Sequence, residues 1–172
     1  MRWISVLLVL AIPLLAQQGP VNLDFAESGP EGSPAGWSAP RGPTYVAATT
    51  DDCRTPDSTC AVVRSEAIGS AADSGVIMQS FDAAALRGKQ VRYRAWLRVE
   101  GLALAQLFVR VDRPSGVGFH QYLDPRIRSR DWTLREIVGA VDADATRITI
   151  GLMFRGLGSA YMADAEFETV EN

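Results

Sequence analysis

From Val91 to Asp112 the chain reads VRYRAWLRVEGLALAQLFVRVD, with apolar residues at every second position through most of its length. Val91, Tyr93, Ala95, Leu97 and Val99 share one side of an extended chain, and Leu107, Val109 and Val111 share one side beyond Gly101. A period of two marks a strand with one buried face. The rhythm returns in Ile148, Ile150, Leu152 and Phe154. Segments of this kind, bounded by turn residues, predict strands over 45–49, 61–65, 75–82, 90–100, 103–113, 119–122, 133–141, 146–154 and 159–170. A further short strand is expected over 21–25, and a single helical turn over 83–86 before the RGK stretch. Gly101 is read as the hinge between the two longest strands. Long antiparallel strands with one apolar face must cover that face with another sheet. The expected fold class is therefore all-β, an antiparallel β-sandwich or jelly roll.

The ends and loops refine this picture. The opening MRWISVLLVLAIPLLAQQ has a charged Arg2, an apolar run from Trp3 to Leu15 and a small Ala16. This is the anatomy of a secretory signal peptide over 1–16. The run is short for a transmembrane helix, which needs about 20 residues, and an uncleaved anchor is the alternative. A single domain over 17–172 follows, with no membrane anchor after cleavage and a secreted or periplasmic destination. The stretch GPEGSPAGWSAPRGP cannot be a helix interior and reads as a long loop holding a buried Trp37. Cys53 and Cys60 lie in one polar loop, and in an exported chain the pair reads as a disulfide; a metal site would need further ligands, and none lie nearby in sequence.

Formal net charge is −3, and removing Arg2 makes it −4, so the chain as a whole has no electrostatic footprint for nucleic acid. No G-x-S-x-G, H-E-x-x-H, P-loop or dinucleotide fingerprint is present, and a lone histidine, His120, excludes multi-histidine metal sites within the chain. Asp112 and Asp124 are the candidates for paired glycosidase-type carboxylates, whose separation would set the mechanism.

Several stretches carry a family resemblance. NLDF at 22–25, GW at 36–37, VIMQSFDAAALRGKQVRYRAWLRVE, LFVRVD, and RDWTLREIVGAVDADATRITIGLMFRGLGSAYMADAEFE together resemble the galactose-binding-like jelly-roll domains, in particular carbohydrate-binding modules of families 4 and 9. The resemblance spans essentially all of the mature chain and is closest to a bacterial subgroup without a known ligand. It is specific for the fold and weakly so for any sugar. Trp132, after Asp131, matches a tryptophan that begins a sandwich strand and is expected to anchor the core edge. Asp164 matches one acid of a terminal W-x-D-D-V pattern, in which Ala163 replaces the other. Relatives hold a structural calcium near the first and last strands, which makes Asp24, Glu27 and Asp164 the calcium candidates, with an incomplete ligand set.

The resemblance also gives meaning to the second face of the long strands. In such folds the outer face of a curved sheet can take a ligand on flat aromatic rings, with planar donors fixing its hydroxyls, and the arginine fork presents several such donors. Trp96, Phe108, Arg94 and Arg110 are the expected platform, and Gln79, Met153 and Arg155 have the alternation to join it. His120, Gln121, Tyr122, Asp124 and Arg126 are expected at its rim. The functional expectation is a secreted non-catalytic module for carbohydrate. The alternative is a protein-interaction or structural sandwich in which Trp96 is packing covered by arginine stems. A small hydrolase is the third reading.

Overall fold

The structure is a computed structural model, and it describes residues 19–39, 45–65, 74–115 and 117–171. The expected signal peptide at 1–16 lies outside the described residues. Seven strands form the domain: β1 (Tyr45–Thr50), β2 (Cys60–Ser65), β3 (Ser74–Asp82), β4 (Gln90–Asp112), β5 (Phe119–Leu123), β6 (Thr133–Ala140) and β7 (Arg147–Val170). All pairings between them are antiparallel. A short 3-10 turn, Ala84–Leu86, stands where the helical turn is expected.

The period-two pattern accounts for most of this, with two corrections. The strands expected on either side of Gly101 are one strand, and so are the two expected over 146–154 and 159–170. β4 and β7 pair along nearly their whole length, from Gln90↔Val170 to Asp112↔Arg147. Their ladder turns through a corner where Gly101 (φ 76°) faces Gly158 (φ 126°). A Cβ on Gly158 would stand 2.0 Å from the Glu100 carbonyl oxygen, so only glycine lets the two backbones pass there. The glycines therefore bend the strands without ending them. The second correction concerns 21–25, which is a turn and not a strand. Asn22 (φ 48°) and Phe25 (φ 59°) are both left-handed, a conformation a strand cannot hold. The segment is tied to the sheet by the Ala165 amide donating to the Leu23 carbonyl and by the Gln79 side chain, which bonds the Val21 amide and carbonyl.

Beyond the corner each long strand enters a different layer. In layer one, the first half of β4 lies between β6 and the second half of β7. In layer two, the second half of β4 lies between β5 and the first half of β7, and β3 adds to the far side of β7. β2 and then β1 extend from β7 near the corner. Val91, Tyr93, Leu97 and Val99 of layer one and Leu107, Val109, Val111, Ile148, Ile150 and Leu152 of layer two join one buried cluster. Burial of each large aliphatic side chain contributes about 1.5–3 kcal/mol. Because both halves of β4 turn the same set of alternate residues into one core, the other set faces outward on opposite sides of the sandwich.

Candidate functional site

Layer two carries a trough of about 500 Å³ on its outer face. Strand register places its lining in rows across the sheet. One row runs Gln121, Arg110, Thr149, Ser80, and the next runs Leu123, Phe108, Gly151, Met78. Gln106, Met153 and Val76 form a third, and Phe119, Asp112 and Arg147 a fourth. The floor is shaped by an absence: a Cβ at Gly151 would lie 2.8 Å from the Phe108 ring and 2.3 Å from the Ile77 carbonyl oxygen. The Phe108 ring lies against this glycine and is only 5% exposed, so it is floor rather than an open stacking surface. The open ring of this face is Phe119, 48% exposed, with the Arg110 guanidinium 3.8 Å from its centroid.

Charge is organised around Asp112. Arg110 Nε donates to its Oδ1 at 2.7 Å, and Arg147 Nε donates to its Oδ2 at 2.8 Å. Burial works against the Asp112 charge, but the hydrogen bonds and charges of Arg110 and Arg147 outweigh it and hold the carboxyl below the usual carboxylate range. Two guanidiniums are thereby fixed in position with donor groups left over. Ser80 and Thr149 hydroxyls bond each other at 2.8 Å beside them. The arrangement offers polar donors and acceptors above an apolar floor of Phe108, Met78 and Met153, which suits a hydroxylated ligand with an apolar face.

Two further cavities continue the trough. One of about 530 Å³ shares Arg110, Asp112 and Arg147 and reaches Phe119 and Arg113. The other, about 90 Å³, shares Met153 and is lined by Gln106, Arg126 and Arg155. Met153, Arg155, Arg110, Phe108 and Arg126 thus meet on one face, together with Gln121.

The remaining expected residues are elsewhere. Trp96 lies on layer one, twelve residues before Phe108 and on the opposite side of the sandwich. Arg54 of the disulfide loop covers it, its guanidinium 4.6 Å from the ring centroid and bonded to Asp164 at 2.7 Å. Arg94 donates to Glu166, and Arg92 to Glu168, across the same layer. Arg98 sits between the Trp132 and Tyr161 rings, at 5.1 and 4.1 Å, and bonds Asp52 at 2.6 Å. The Asp52 carboxyl is held low by that bond from Arg98, in spite of partial desolvation. Cys53 and Cys60 are disulfide-bonded, with Cα atoms 5.8 Å apart, so their loop is a clasp over this face.

Gln79, His120, Tyr122 and Asp124 turn away from the trough for a common reason. Facing residues in neighbouring strands share a side of the sheet, and these occupy the alternate positions. Gln79 is buried and exchanges hydrogen bonds with the Val21 amide and carbonyl. His120 Nδ1 lies 2.8 Å from Asp142 Oδ2. The Tyr122 ring lies against Gly139, and its hydroxyl donates to the Ala140 carbonyl, joining β5 to the edge of β6. Asp124 is buried, accepting from the Leu107 amide at 2.7 Å and from Arg135 at 2.5 Å. Burial pushes its carboxyl above the usual range against the pull of Arg135 and the Leu107 amide. Asp112 and Asp124 therefore do not face each other across a cleft: one edges the trough and the other ties the layers together.

Two of the calcium candidates have other partners. Asp164 pairs with Arg54, and Asp24 Oδ1 accepts from the Ala26 amide. The Asn22 side chain fills the loop between them, its amide donating to the carbonyls of Glu27 and Ala35. Among the described residues no group of three or more acidic, histidine or cysteine side chains is placed to hold a metal ion.

Sequence reasoning passed over Phe119, Arg147, Thr149, Ser80 and Met78, and it placed Gln121 at the rim. β5 is exposed or half-buried at every position, and the β3 sequence VIMQSF places apolar residues on both faces. Neither strand reveals its orientation by alternation; only pairing to β4 and β7 sets it.

No family model matches the chain, and no curated protein matches it. Solved structures do. The C-terminal family 22 carbohydrate-binding module of Clostridium thermocellum Xyn10B superposes with a TM-score of 0.61 at 13% identity, covering 90% of this chain and 100% of the module. The fold is that of the β-sandwich carbohydrate-binding modules. TmCBM61, solved in complex with β-1,4-galactotriose, gives 0.57 at 13% identity, with 90% and 99% covered. The enzymatically active domain of bacteriophage CBA120 tailspike protein 4 also matches, at 0.61 and 14% identity. This chain spans 83% of itself but only 21% of that domain, and 26% of a two-module xylanase 10B structure from the same Clostridium.

Proposed function

We propose that the chain is a secreted, non-catalytic carbohydrate-binding module whose glycan lies in the trough of layer two. The observation that carries this reading is the combination, on one open face, of an apolar floor with guanidiniums held in place by Asp112. A sugar presents apolar C–H faces and hydroxyl edges at once. Phe108, Met78 and Met153 match the first, while Arg110, Arg147, Gln121 and Thr149 match the second. The fold is shared with modules solved with glycans, one of them carrying galactotriose. The signal peptide over 1–16 and the disulfide accord with export and with a single mature domain over 17–172. Placement within families 4 and 9 rests on the motifs NLDF, GW and LFVRVD. The face around Trp96 serves structure, since the clasp and its ion pairs cover it.

The test is affinity electrophoresis of the protein through gels holding xylan, galactan, β-glucan or pectin. Retardation by at least one polymer is expected, and it should fall in an Arg147→Ala/Gln121→Ala variant while Trp96→Ala leaves it in place. Retardation abolished by a folded Trp96→Ala and kept by the trough variant would move the site to layer one.

A further inference from the structure

The net charge of −3 conceals a local imbalance. Among the described residues eight arginines have a carboxylate partner within ion-pair distance: 54, 92, 94, 98, 110, 113, 135 and 147. Arg87 is bonded to a backbone carbonyl. Arg64, Arg126, Arg128, Arg130 and Arg155 have no such partner among the described residues, and all five are exposed. Arg64 stands apart on β2, and two of the others sit together at the trough. Arg126 and Arg155 line the same 90 Å³ cavity at one end of the trough. Arg128 and Arg130 follow on the connecting segment that runs along β4, where Ile127 bonds Ala105 in both directions and Ser129 accepts from the Val99 amide. At the other end, Arg110 and Arg147 share a single carboxylate, which leaves one positive charge uncompensated.

Leaving arginines unpaired while every arginine of the opposite layer's β4 face is neutralised makes sense if an anion pairs with them. We infer that the trough's ligand is an acidic glycan whose uronate carboxylates are taken by these guanidiniums; this rests on the carbohydrate reading above. The guanidinium fork matches a carboxylate in two parallel hydrogen bonds, a geometry a lysine ammonium does not offer. Arg147 and Arg155 lie eight residues apart on β7, roughly 26 Å at the rise of a strand. The two cationic ends therefore fit carboxylates on separate units of an oligosaccharide, with the Phe108–Met153 floor beneath the intervening sugars.

The experiment compares three polymers in solution with the full-length chain by isothermal titration: polygalacturonate, the same polymer fully methyl-esterified, and neutral galactan. Oligothymidylate serves as a polyanion without sugar acids. The inference expects binding to polygalacturonate that weakens about tenfold or more in Arg126→Gln/Arg155→Gln and also weakens with added salt, with the esterified polymer bound far less. Equal binding of acidic, esterified and neutral polymers, unchanged in the variant, would overturn the acidic-ligand inference and leave the carbohydrate reading standing. Binding of oligothymidylate as tight as polygalacturonate would reduce the arginines to a general polyanion patch and also overturn it. No binding to any of the polysaccharides, here and in the gels, would remove the carbohydrate reading itself.

Discussion

The two outer faces of the sandwich are built from the same strand and largely the same residue types, yet they do opposite things. On layer one, Arg92, Arg94 and Arg98 alternate with Trp96, and each guanidinium meets a carboxylate supplied by β6, β7 or the disulfide loop. The arginines of this face are paired and its tryptophan is covered by Arg54, while Leu134 and Val138 beside them are exposed. On layer two, Phe108 and Arg110 alternate in the same way, but Gly151 opens a depression beside the aromatic ring and Asp112 is a carboxylate shared by two arginines. An arginine–aromatic pattern is thus either a finished surface or a site. What separates them is whether neighbouring strands supply enough carboxylates and side-chain bulk to complete it.

The contrast can be broken most severely at Asp124, the fully enclosed end of the series. Its carboxylate holds Arg135 and the Leu107 amide inside the domain. Asp124→Ala should cost about 3 kcal/mol, since it leaves the buried Leu107 amide without its acceptor and the half-buried Arg135 without its partner; urea unfolding reads this. Cutting the clasp comes next. Cys53→Ser/Cys60→Ser removes a loop closure of about 2.5 kcal/mol and frees Arg54 from Trp96. A lower unfolding midpoint with red-shifted tryptophan emission is expected, and a midpoint unchanged from the parent would contradict the role of the clasp.

Acid offers a graded version. Asp52 and Asp112 have carboxyls held low by their arginines, so the unfolded chain binds protons more readily than the fold does. Their contribution is complete above about pH 4, the ordinary carboxylate range, and is lost as pH falls through the lower folded values. Asp124 runs the other way: its raised value means the fold holds the proton more tightly, so its contribution fades as pH rises above about 4. Urea midpoints followed from pH 7 to pH 2 should therefore fall below about pH 4, and Asp112→Asn should flatten that fall. The smallest effect on stability is expected at Arg155→Gln. That side chain has no partner among the described residues, so the variant's thermal midpoint should equal the parent's; a clear drop would contradict an unpaired arginine.

Much of this architecture is legible in the chain, and its limits are instructive. The alternation in Val91–Val111 and Ile148–Phe154 is strict because one face of each segment is wholly buried, so strands and core follow directly. Gly101 is visible as a special position, but whether a glycine ends a strand or bends it depends on the partner at Gly158, which alternation does not reveal. The same bend sends Trp96 and Phe108 to opposite sides, although one strand carries both at the same parity. His120 and Tyr122 look like rim residues because β5 has no buried face to betray its orientation. Pairing with Arg110 and Asp112 turns Gln121 and Phe119 outward instead. The cysteine pair is readable because a short polar loop in a chain expected to be exported leaves few alternatives, whereas its service as a cover for Trp96 depends on where the loop lands.

The claim that the working face is layer two, and not the Trp96 face, is tested most directly by amide chemical shifts recorded while an oligosaccharide of the bound polymer is added. The expected result is a set of perturbed amides at Gln121, Thr149, Gly151 and Met153, with the Trp96 indole signal unmoved. Perturbation centred on Trp96, Leu134 and Glu166, with the trough amides unmoved, would contradict it.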